Sequence, residues 1–580
     1  MNKNIYLFIL TVAFLLCTAC ADLDLNPLSE ASSENWYSNE EQIEMSVKSL
    51  YYINFWRTDQ DQWTDDWMDR FTLNDITGAT INSEFSYGTN TWSMAYQAIA
   101  TANTLISKMD NLDGVILKDK LDRYKGEAHF VRAYEYSTLI SHYGDVVYYE
   151  NTPDIDEAYT LSRTNKDTIL QQIYKDFDYA ASVLEPSYNE SGSSRATKGA
   201  ALALKARIAL YMGDYKTARD AAKSCMDLNI YQLNSDFEKL FLTKNAGESI
   251  FLIPRSVALG IYLKNSTNLV ELLSGERFQP LSVQHYLPRN RSGFVQNIPS
   301  WDLFCSFLCT DGLPIDESPL FNPRKPFDNR DPRCKATIVE FGSTFLSVVY
   351  QPHPDSLKVY NYITGGKVKN NDCLTNSEYA AFNGLCWKKE IDETWADDLM
   401  ADPDKVIVRY ADVLLMYAEA KIELGELDES MLNAINMVRA RAYKVDVSQT
   451  SLYPAVAMTS QDELRKTLRI ERRMEFANEG LRYMDIIRWR LAEKVLNKNN
   501  YGILYPISDL RSNVINQGLW FFPATPDIDD DGVPNFDPMY EQGLIRLITT
   551  RKFDSSRQYL WPIPSKEIKI NPNLKQNPNY

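Results

Sequence analysis

The sequence predicts a mainly α-helical protein: a tetratricopeptide-like scaffold of helical repeats with a large irregular, loop-rich insertion that contains short strands. Two segments, 197–228 and 410–443, are each typical of two antiparallel helices joined at a glycine turn, Gly213 in the first and Gly425 in the second. Small residues on such helices let one pair stack on the next. Between the two units, residues 237–401 are rich in Pro, Gly, Asn and aromatic residues, which indicates short strands and long loops.

Apolar residues at helical spacing predict the other helices of the scaffold. These are the segments 36–52, 92–109, 125–143 and 169–184, which with the two units give four repeats over about 36–235 and 405–500. In the insertion, 301–308 is the one predicted helix, and 250–253, 338–341 and 346–350 are predicted strands. A second irregular insertion spans about 502–545, and a tail spans 546–580. Because rigid scaffolds usually carry function on loops, we expect ligand contacts in the irregular regions.

Residues 469–489 combine dense paired charge with apolar residues, which indicates a buried corner between two helices. The sequence SQDE at 460–463 is a capping box that begins the first helix, and Gly480 suits the left-handed residue that ends it. Asp485 lies three residues from both Arg482 and Arg488, a spacing that brings opposite charges together on a helix.

Two carboxylates of this corner, Glu471 and Glu475, could be imagined as an acid–base pair. They lie one turn apart and are flanked by arginines, so both should stay ionised. We therefore interpret the corner as a structural ion network.

The pattern E-R-R-x-E-F-x-x-E-G-x-R-x-x-D-I-I-R-W at 471–489 resembles the signature of the SusD/RagB family, and Y-L-W-P-I-P-S-K-E-I at 559–568 resembles the C-terminal end of that family. The resemblance implies one SusD-like domain over 20–580. It also implies a cell-surface glycan-binding lipoprotein that captures oligosaccharides and delivers them to a SusC-like TonB-dependent transporter, as in polysaccharide utilisation and nutrient uptake. Some relatives serve peptide uptake, so a peptide-binding or structural subunit of such a transporter is the alternative.

The N-terminus has the features of a lipoprotein signal peptide. Lys3 precedes an apolar run over 5–16 that is too short to span a bilayer, and Cys17-Thr18-Ala19-Cys20 resembles a lipobox. We expect cleavage after residue 19 and acylation, for example with palmitate, of Cys20. The family resemblance then places the lipid anchor in the cell outer membrane with the protein body exposed at the surface.

Composition bounds the class of ligand. The chain has 61 Lys and Arg against 78 Asp and Glu, a net charge of −17, which argues against nucleic acid or an anionic polymer as the main ligand. A neutral ligand is easier to accommodate. Aromatic residues make up 12% of the chain, with 35 Tyr and 11 Trp, and their apolar faces and polar tips suit sugar stacking as well as protein interfaces.

A glycan site should be an aromatic platform with polar side chains that bond hydroxyl groups. Related proteins build it from loops of the N-terminal third and of the irregular middle. The predicted ligand-binding residues are Trp63, Trp67 and Tyr87, followed by Arg277, Phe278 and Tyr286. For any one of them, a place in the core or in an interface is the competing interpretation.

One segment has the spacing of a calcium loop. Asp527, Asp529 and Asp531 alternate before Gly532, but a full EF-hand would have Glu where this chain has Pro538. Calcium and an ordinary acidic turn both remain open, and no other cofactor is expected.

The cysteines beyond the signal peptide are scattered, and only four His occur in the chain, so a zinc site has too few ligands. We expect buried free thiols, with a Cys373–Cys386 disulfide as the alternative.

The chain contains no G-x-S-x-G, H-E-x-x-H or phosphate-loop motif, so we expect no enzyme activity. A helical glycoside hydrolase is the less favoured alternative, because its two carboxylates need no local motif.

Overall fold

The structure is a computed structural model that describes residues 36–188, 194–264 and 283–580. The lipobox with Cys20 and two of the predicted ligand-binding residues, Arg277 and Phe278, lie outside the described residues. None of the helices in the described ranges combines the length and the hydropathy that crossing a bilayer requires.

The helices of at least seven residues are labelled in chain order. They are α1 Glu40–Ser49, α2 Ser86–Met109, α3 Lys118–Tyr143, α4 Lys166–Val183, α5 Lys198–Tyr211, α6 Tyr215–Met226, α7 Tyr410–Glu423, α8 Glu429–Ala442, α9 Gln461–Phe476, α10 Arg482–Arg488 and α11 Ile507–Asn513. Shorter α-helices are Ile155–Ala158, Phe237–Leu240, Val283–Tyr286, Trp301–Ser306, Pro332–Thr337, Glu393–Asp397, Ala492–Val495, Asp537–Glu541 and Ser565–Ile570.

The strands are short. They are β1 Trp67–Asp69, β2 Ser249–Ile253, β3 Leu263–Lys264, β4 Asn297–Pro299, β5 Thr344–Phe345, β6 Val348–Val349, β7 Lys358–Asn361, β8 Gly366–Lys369, β9 Met400–Ala401, β10 Lys405–Arg409, β11 Asn499–Ile503, β12 Asp527–Ile528, β13 Pro534–Asn535 and β14 Ile545–Thr550. Strands β5 to β8 form one antiparallel sheet, and the others form two-stranded ribbons.

The helical scaffold is continuous in space although the chain interrupts it. Helices α2 to α8 pack in chain order, each against the next, and α7 also packs on α9. Both predicted repeat units are confirmed, since α5 and α6 turn at Gly213 and α7 and α8 turn at Gly425, with φ of +78° and +72°. The contact between α6 and α7 therefore closes the gap left by the insertion of residues 227–409.

Local capping sets the ends of several helices. Ser460 accepts a hydrogen bond from the backbone N–H of Glu463, as the capping box predicts, and α9 begins at Gln461. Thr197 caps α5 and Asp428 caps α8 in the same way.

The irregular region has its own apolar core, separate from the core of the scaffold. The prediction of strand at 250–253 is confirmed by β2, and that at 346–350 by the shorter β6. The prediction of strand at 338–341 is wrong, because this segment makes only an isolated bridge from Ile338 to Trp387. Short helices at Pro332–Thr337 and Glu393–Asp397 add to the one predicted near 301–308.

The six cysteines of the described residues are free and buried, as expected. A Cys373–Cys386 disulfide is not formed, because the thiol of Cys373 lies 3.3 Å from the carbonyl oxygen of Asn370 and that of Cys386 lies 3.6 Å from the carbonyl oxygen of Tyr286.

Candidate functional site

The corner between α9 and α10 binds the segment that contains two predicted ligand-binding residues, Trp63 and Trp67. Arg473 donates to Asp66 over 2.7 Å and to Asp65 over 2.8 Å, and Arg482 donates to Asp65 over 2.9 Å. The prediction that Arg482 pairs with Asp485 is wrong, whereas the Asp485–Arg488 pair is present at 2.8 Å. Burial alone would raise the pKa of Asp65, but the two guanidinium groups hold it well below its usual range.

A glycine brings the same corner against the segment. Gly480 has φ of +75°, and a Cβ at this position would lie 2.3 Å from the carbonyl oxygen of Asp59. Its backbone N–H donates a 2.7 Å hydrogen bond to Oδ2 of Asp61. The close approach requires glycine and fixes residues 59–61 on the corner.

The remaining charges of the corner form the structural ion network that was predicted. Glu475 accepts hydrogen bonds from Arg333, Arg409 and Arg441. Burial would raise the pKa of Glu475, but these arginines lower it well below its ordinary value, so the carboxylate stays ionised. Arg409 continues the network to Glu479 at 2.7 Å. The network therefore holds the elements of the corner together, and one of its members, Glu479, lines a cleft.

Trp63 is a core residue in this structure. It is 3% exposed, and the rings of Phe85, Tyr87, Tyr483 and Trp561 surround it at centroid distances of 4.7 to 6.5 Å. With aromatic neighbours on all these sides, its ring offers no free face to a sugar. Its prediction as a ligand contact is corrected for that reason.

The other three described candidates, Trp67, Tyr87 and Tyr286, line one cleft. The cleft encloses about 1220 Å³ with its open mouth included. Trp67 is fixed in β1, opposite Pro299 of β4, and Tyr286 ends a short helix with its ring edge-on to Trp395 at 6.1 Å. The tertiary fold therefore brings together residues that are more than 200 positions apart in the sequence.

Two of the residues that line this cleft each have a buried polar atom without a hydrogen-bond partner in the described part of the chain. The atoms are Nε1 of Trp67 and Oδ1 of Asp61, and both side chains are 7% exposed. Buried polar groups are normally hydrogen-bonded, and a ligand with hydroxyl groups can satisfy a donor and an acceptor of this kind. Burial raises the pKa of Asp61 to about 8, with the charge of Asp66 adding to the effect.

Three further groups of the cleft have no hydrogen bond or ion pair within the described ranges: the hydroxyl of Tyr286, the carboxyl of Glu390 and the ammonium of Lys405. Glu390 has φ of +70°, a strained conformation for this residue type that is frequent at functional sites. Burial raises the pKa of Glu390 to about 7 and lowers that of Lys405 to about 7. Burial also raises the pKa of Tyr286 far above neutrality, so its hydroxyl can donate.

Three other carboxylates of the cleft already have partners. Glu479 is bonded to Lys389 over 2.6 Å, and Asp59 lies 2.8 Å from Nε2 of His142. Asp404 accepts a 2.7 Å hydrogen bond from the backbone N–H of Asn245.

Sequence reasoning missed Asp61, Glu390, Trp395 and Lys405. They occur in segments without periodicity, and no local motif marks them. Of these four residues, only Asp61 could have been suspected from the sequence, because it lies two residues before the predicted Trp63 in a stretch dense in aromatic and acidic residues.

Tyr87 and residues 58–59 line both this cleft and a second pocket, which encloses about 750 Å³ with its opening included. The hydroxyl of Tyr87 donates to the carbonyl oxygen of Thr58 over 2.7 Å. Tyr134 of α3 and Arg207 of α5 line the second pocket. Tyr87, near the start of α2, therefore lies between the cleft and a pocket lined by the helical repeats.

Two of the three predicted calcium ligands, Asp529 and Asp531, meet at a lysine side chain. Nζ of Lys494 lies 2.9 Å from Oδ2 of Asp529 and also contacts Asp531, so an ammonium group takes the place between the two carboxylates. Oδ1 of Asp529 accepts the backbone N–H groups of Asp531 and Val533, which makes the segment an acidic turn between β12 and β13. Among the described residues no group of three or more His, Cys, Asp or Glu side chains is arranged to hold a metal ion, so the geometry favours the acidic turn, and calcium binding by Asp527, Asp529 and Asp531 stays a prediction.

A helical-repeat scaffold with an open aromatic and polar cleft between loops is an architecture typical of ligand-binding proteins. Residues 262–580 match the model of the SusD family, and residues 23–210 match a family model described as starch-binding and associating with the outer membrane. The chain belongs to the SusD family.

Known relatives agree with this assignment over almost their whole length. SusD-like protein P25 of Formosa agariphila is 22% identical over 538 residues, which cover 88% of this chain and 94% of the relative. The crystal structure of a SusD-like carbohydrate binding protein from Bacteroides fragilis is 27% identical with a TM-score of 0.73, covering 93% of this chain and 99% of that one. A laminarin binding SusD-like protein has the same fold at a TM-score of 0.60 and 18% identity, covering 93% and 100%.

Proposed function

We propose that this protein captures oligosaccharides in the cleft of Trp67 and Tyr286 and delivers them to a SusC-like TonB-dependent transporter. The observation that carries the proposal is that two residues lining one cleft, Trp67 and Asp61, each have a buried polar atom, Nε1 and Oδ1, without a hydrogen-bond partner in the described ranges. Sugars present adjacent hydroxyl groups that donate and accept, and aromatic rings beside them pack on the apolar faces of the pyranose ring. The carbohydrate-binding relative from Bacteroides fragilis supports the same ligand class.

The proposal includes a place in the cell. Acylation at Cys20 anchors the protein in the outer membrane with its body at the cell surface, and several acyl chains give stable anchoring. The match to a family model described as associating with the outer membrane supports this location. Labelling cells with a palmitate analogue tests it: the wild-type chain should incorporate label, and Cys20→Ala should not.

Binding without turnover is the expected activity. A glycan array and an oligopeptide panel, applied to the same protein, test the ligand class. Binding on the array, with the bound sugar recovered intact, supports a capture protein. Binding confined to peptides would overturn the glycan proposal, and cleavage of the sugar would indicate a hydrolase instead.

A further inference from the structure

Two cationic side chains form one corner of the cleft, at the ribbon of β2 and β10. Lys405 opens β10 and lies opposite Ile253, the last residue of β2. Arg255 lies two residues after Ile253. Burial is the main cause of the lowered pKa of Lys405, and the positive charge of Arg255 lowers it further. Both side chains are half-buried and line the cleft, so they are available to a ligand.

Neither cation has a carboxylate partner within 4 Å in the described part of the chain. The guanidinium of Arg255 donates only to the carbonyl oxygen of Pro403, over 3.0 Å. By contrast, the buried arginines of α9 and α10 meet carboxylates, as Arg472 does with Asp485 at 2.9 Å and Arg488 with Glu419 at 2.7 Å. Cations taken out of water need an opposite charge, and here the protein does not supply a contacting one.

The carboxyl groups of Asp61 and Glu390 also line the cleft, and their raised pKa values reduce their negative charge near neutral pH. Asp61 also faces Asp66, Lys389 and Glu479, and Glu390 faces Lys389, Glu479, Arg255 and Arg409. Burial raises the pKa of Asp61 to about 8 and that of Glu390 to about 7, so both tend to be protonated at neutral pH and below. Lys405, which faces Arg255 and Arg57, gains its proton over the same range. Arg255, which faces Glu390, Asp404 and Asp402, stays charged throughout, since burial lowers its pKa only to about 10 and these carboxyl groups oppose the effect.

We propose that the cleft selects acidic oligosaccharides, whose anionic substituent, a carboxylate or a sulfate ester, is held by Arg255 and Lys405 while neighbouring hydroxyl groups bond Asp61 and Trp67. The inference rests on the proposed function and gives it a substrate class. It is compatible with the net charge of −17 because the selection is local: the chain as a whole repels a long polyanion, whereas this corner accepts one or a few acidic units.

The ligand-side test uses pairs that differ only in charge. Oligogalacturonates and their carboxyl-reduced forms, and sulfated galactan oligosaccharides and their desulfated forms, are titrated calorimetrically into the full-length protein at pH 7. At least a tenfold tighter Kd for the acidic member of one pair is expected, and the pair that shows it identifies carboxylate or sulfate. Equal or weaker binding of both acidic members, with the neutral ones bound, would overturn the inference and leave the proposed function standing. Binding of no glycan would overturn both.

The protein-side test removes one charge. Lys405→Met should lose at least fivefold of the preference for the acidic ligand, Lys405→Arg should keep it, and Lys358→Met, at an exposed position outside the cleft, should behave as wild type. Retention of the full preference by a folded Lys405→Met variant would contradict the assignment.

A third readout needs no variant. Between pH 6 and pH 8.5 the acidic ligand should bind several-fold more weakly with rising pH, because Lys405 loses its proton while Asp61 and Glu390 gain negative charge. The matched neutral ligand should change less, and an equal change for both would contradict the inference.

Discussion

The backbone N–H of Gly480 donates a 2.7 Å hydrogen bond to Oδ2 of Asp61, and this contact joins the family motif to the cleft. Gly480 lies in the corner between α9 and α10, and Asp61 lines the cleft with its other oxygen, Oδ1, buried and without a partner in the described ranges. The most regular stretch of the sequence therefore fixes a residue of the proposed ligand site.

Gly480→Ala should destabilise the protein by about 2–4 kcal/mol, because it adds a backbone clash to the strain of a positive φ. The new Cβ would lie 2.3 Å from the carbonyl oxygen of Asp59. Gly425→Ala is the matched control, since its φ is +72° and nothing lies within 4 Å of the added carbon. Its cost should be about 1 kcal/mol. Equal shifts of the denaturation midpoint for the two variants would show that the contact with residue 59 is not tight.

Arg473→Met should cost about 3–5 kcal/mol, because it leaves two buried carboxylates short of a counter-charge. Asp66 is the more affected, since Arg473 is its one hydrogen-bonded guanidinium among the described residues. Arg465→Met, which removes a partly exposed pair with Glu423, should cost below about 1 kcal/mol. Urea denaturation compares them, and a small effect at Arg473 would mean that Asp65 and Asp66 are held by other contacts.

Asp61→Asn should change how stability depends on pH. The folded-state pKa of Asp61 is raised to about 8, so the wild type keeps a proton that the unfolded chain releases near pH 4. The stabilisation of the folded state by this bound proton is fully present below about pH 4. It is lost as the pH rises to 8, and the loss is on the order of 1 kcal/mol per pH unit. The melting temperature of wild type minus that of Asp61→Asn should fall from pH 5 to 8 and level off above. A difference in melting temperature that does not change with pH would show that the Asp61 carboxyl is solvated and that its pKa is not raised.

Calcium should not bind to the acidic turn of the wild-type protein, because the ammonium of Lys494 lies against Asp529 and Asp531. Isothermal titration of calcium should give only the heat of dilution. Saturable heat that disappears in Asp529→Asn would show that calcium displaces the lysine and would support the calcium interpretation.

The scaffold could be predicted because its signals are local. Helical periodicity, the cap at Ser460 and the glycine turns at 213 and 425 each depend on neighbours within a few residues. The Asp529 turn shows the limit of such signals, since alternating carboxylates before a glycine suit both a calcium loop and a turn in which the aspartate accepts its own backbone N–H groups.

The cleft could not be predicted in the same way because it is assembled by long-range contacts. Strands β2 and β10 join residues about 150 positions apart, and this pairing places Lys405 opposite Ile253, two residues before Arg255. Trp63 and Trp67 lie four residues apart, yet one enters the core and the other lines the cleft. Nothing local in the sequence distinguishes them.

The central claim, that the cleft of Trp67 binds glycan, is tested most directly by Trp67→Phe. This variant keeps an aromatic ring and removes the unpartnered Nε1–H, so affinity for the glycan that the array identifies should fall by about 1–3 kcal/mol, roughly 5- to 150-fold in Kd. Trp36→Phe, which removes an indole hydrogen bond to Ser46 outside the cleft, should leave Kd unchanged. Weakened binding of Trp67→Phe at an unchanged melting temperature is the predicted result, and an unchanged Kd would contradict the claim.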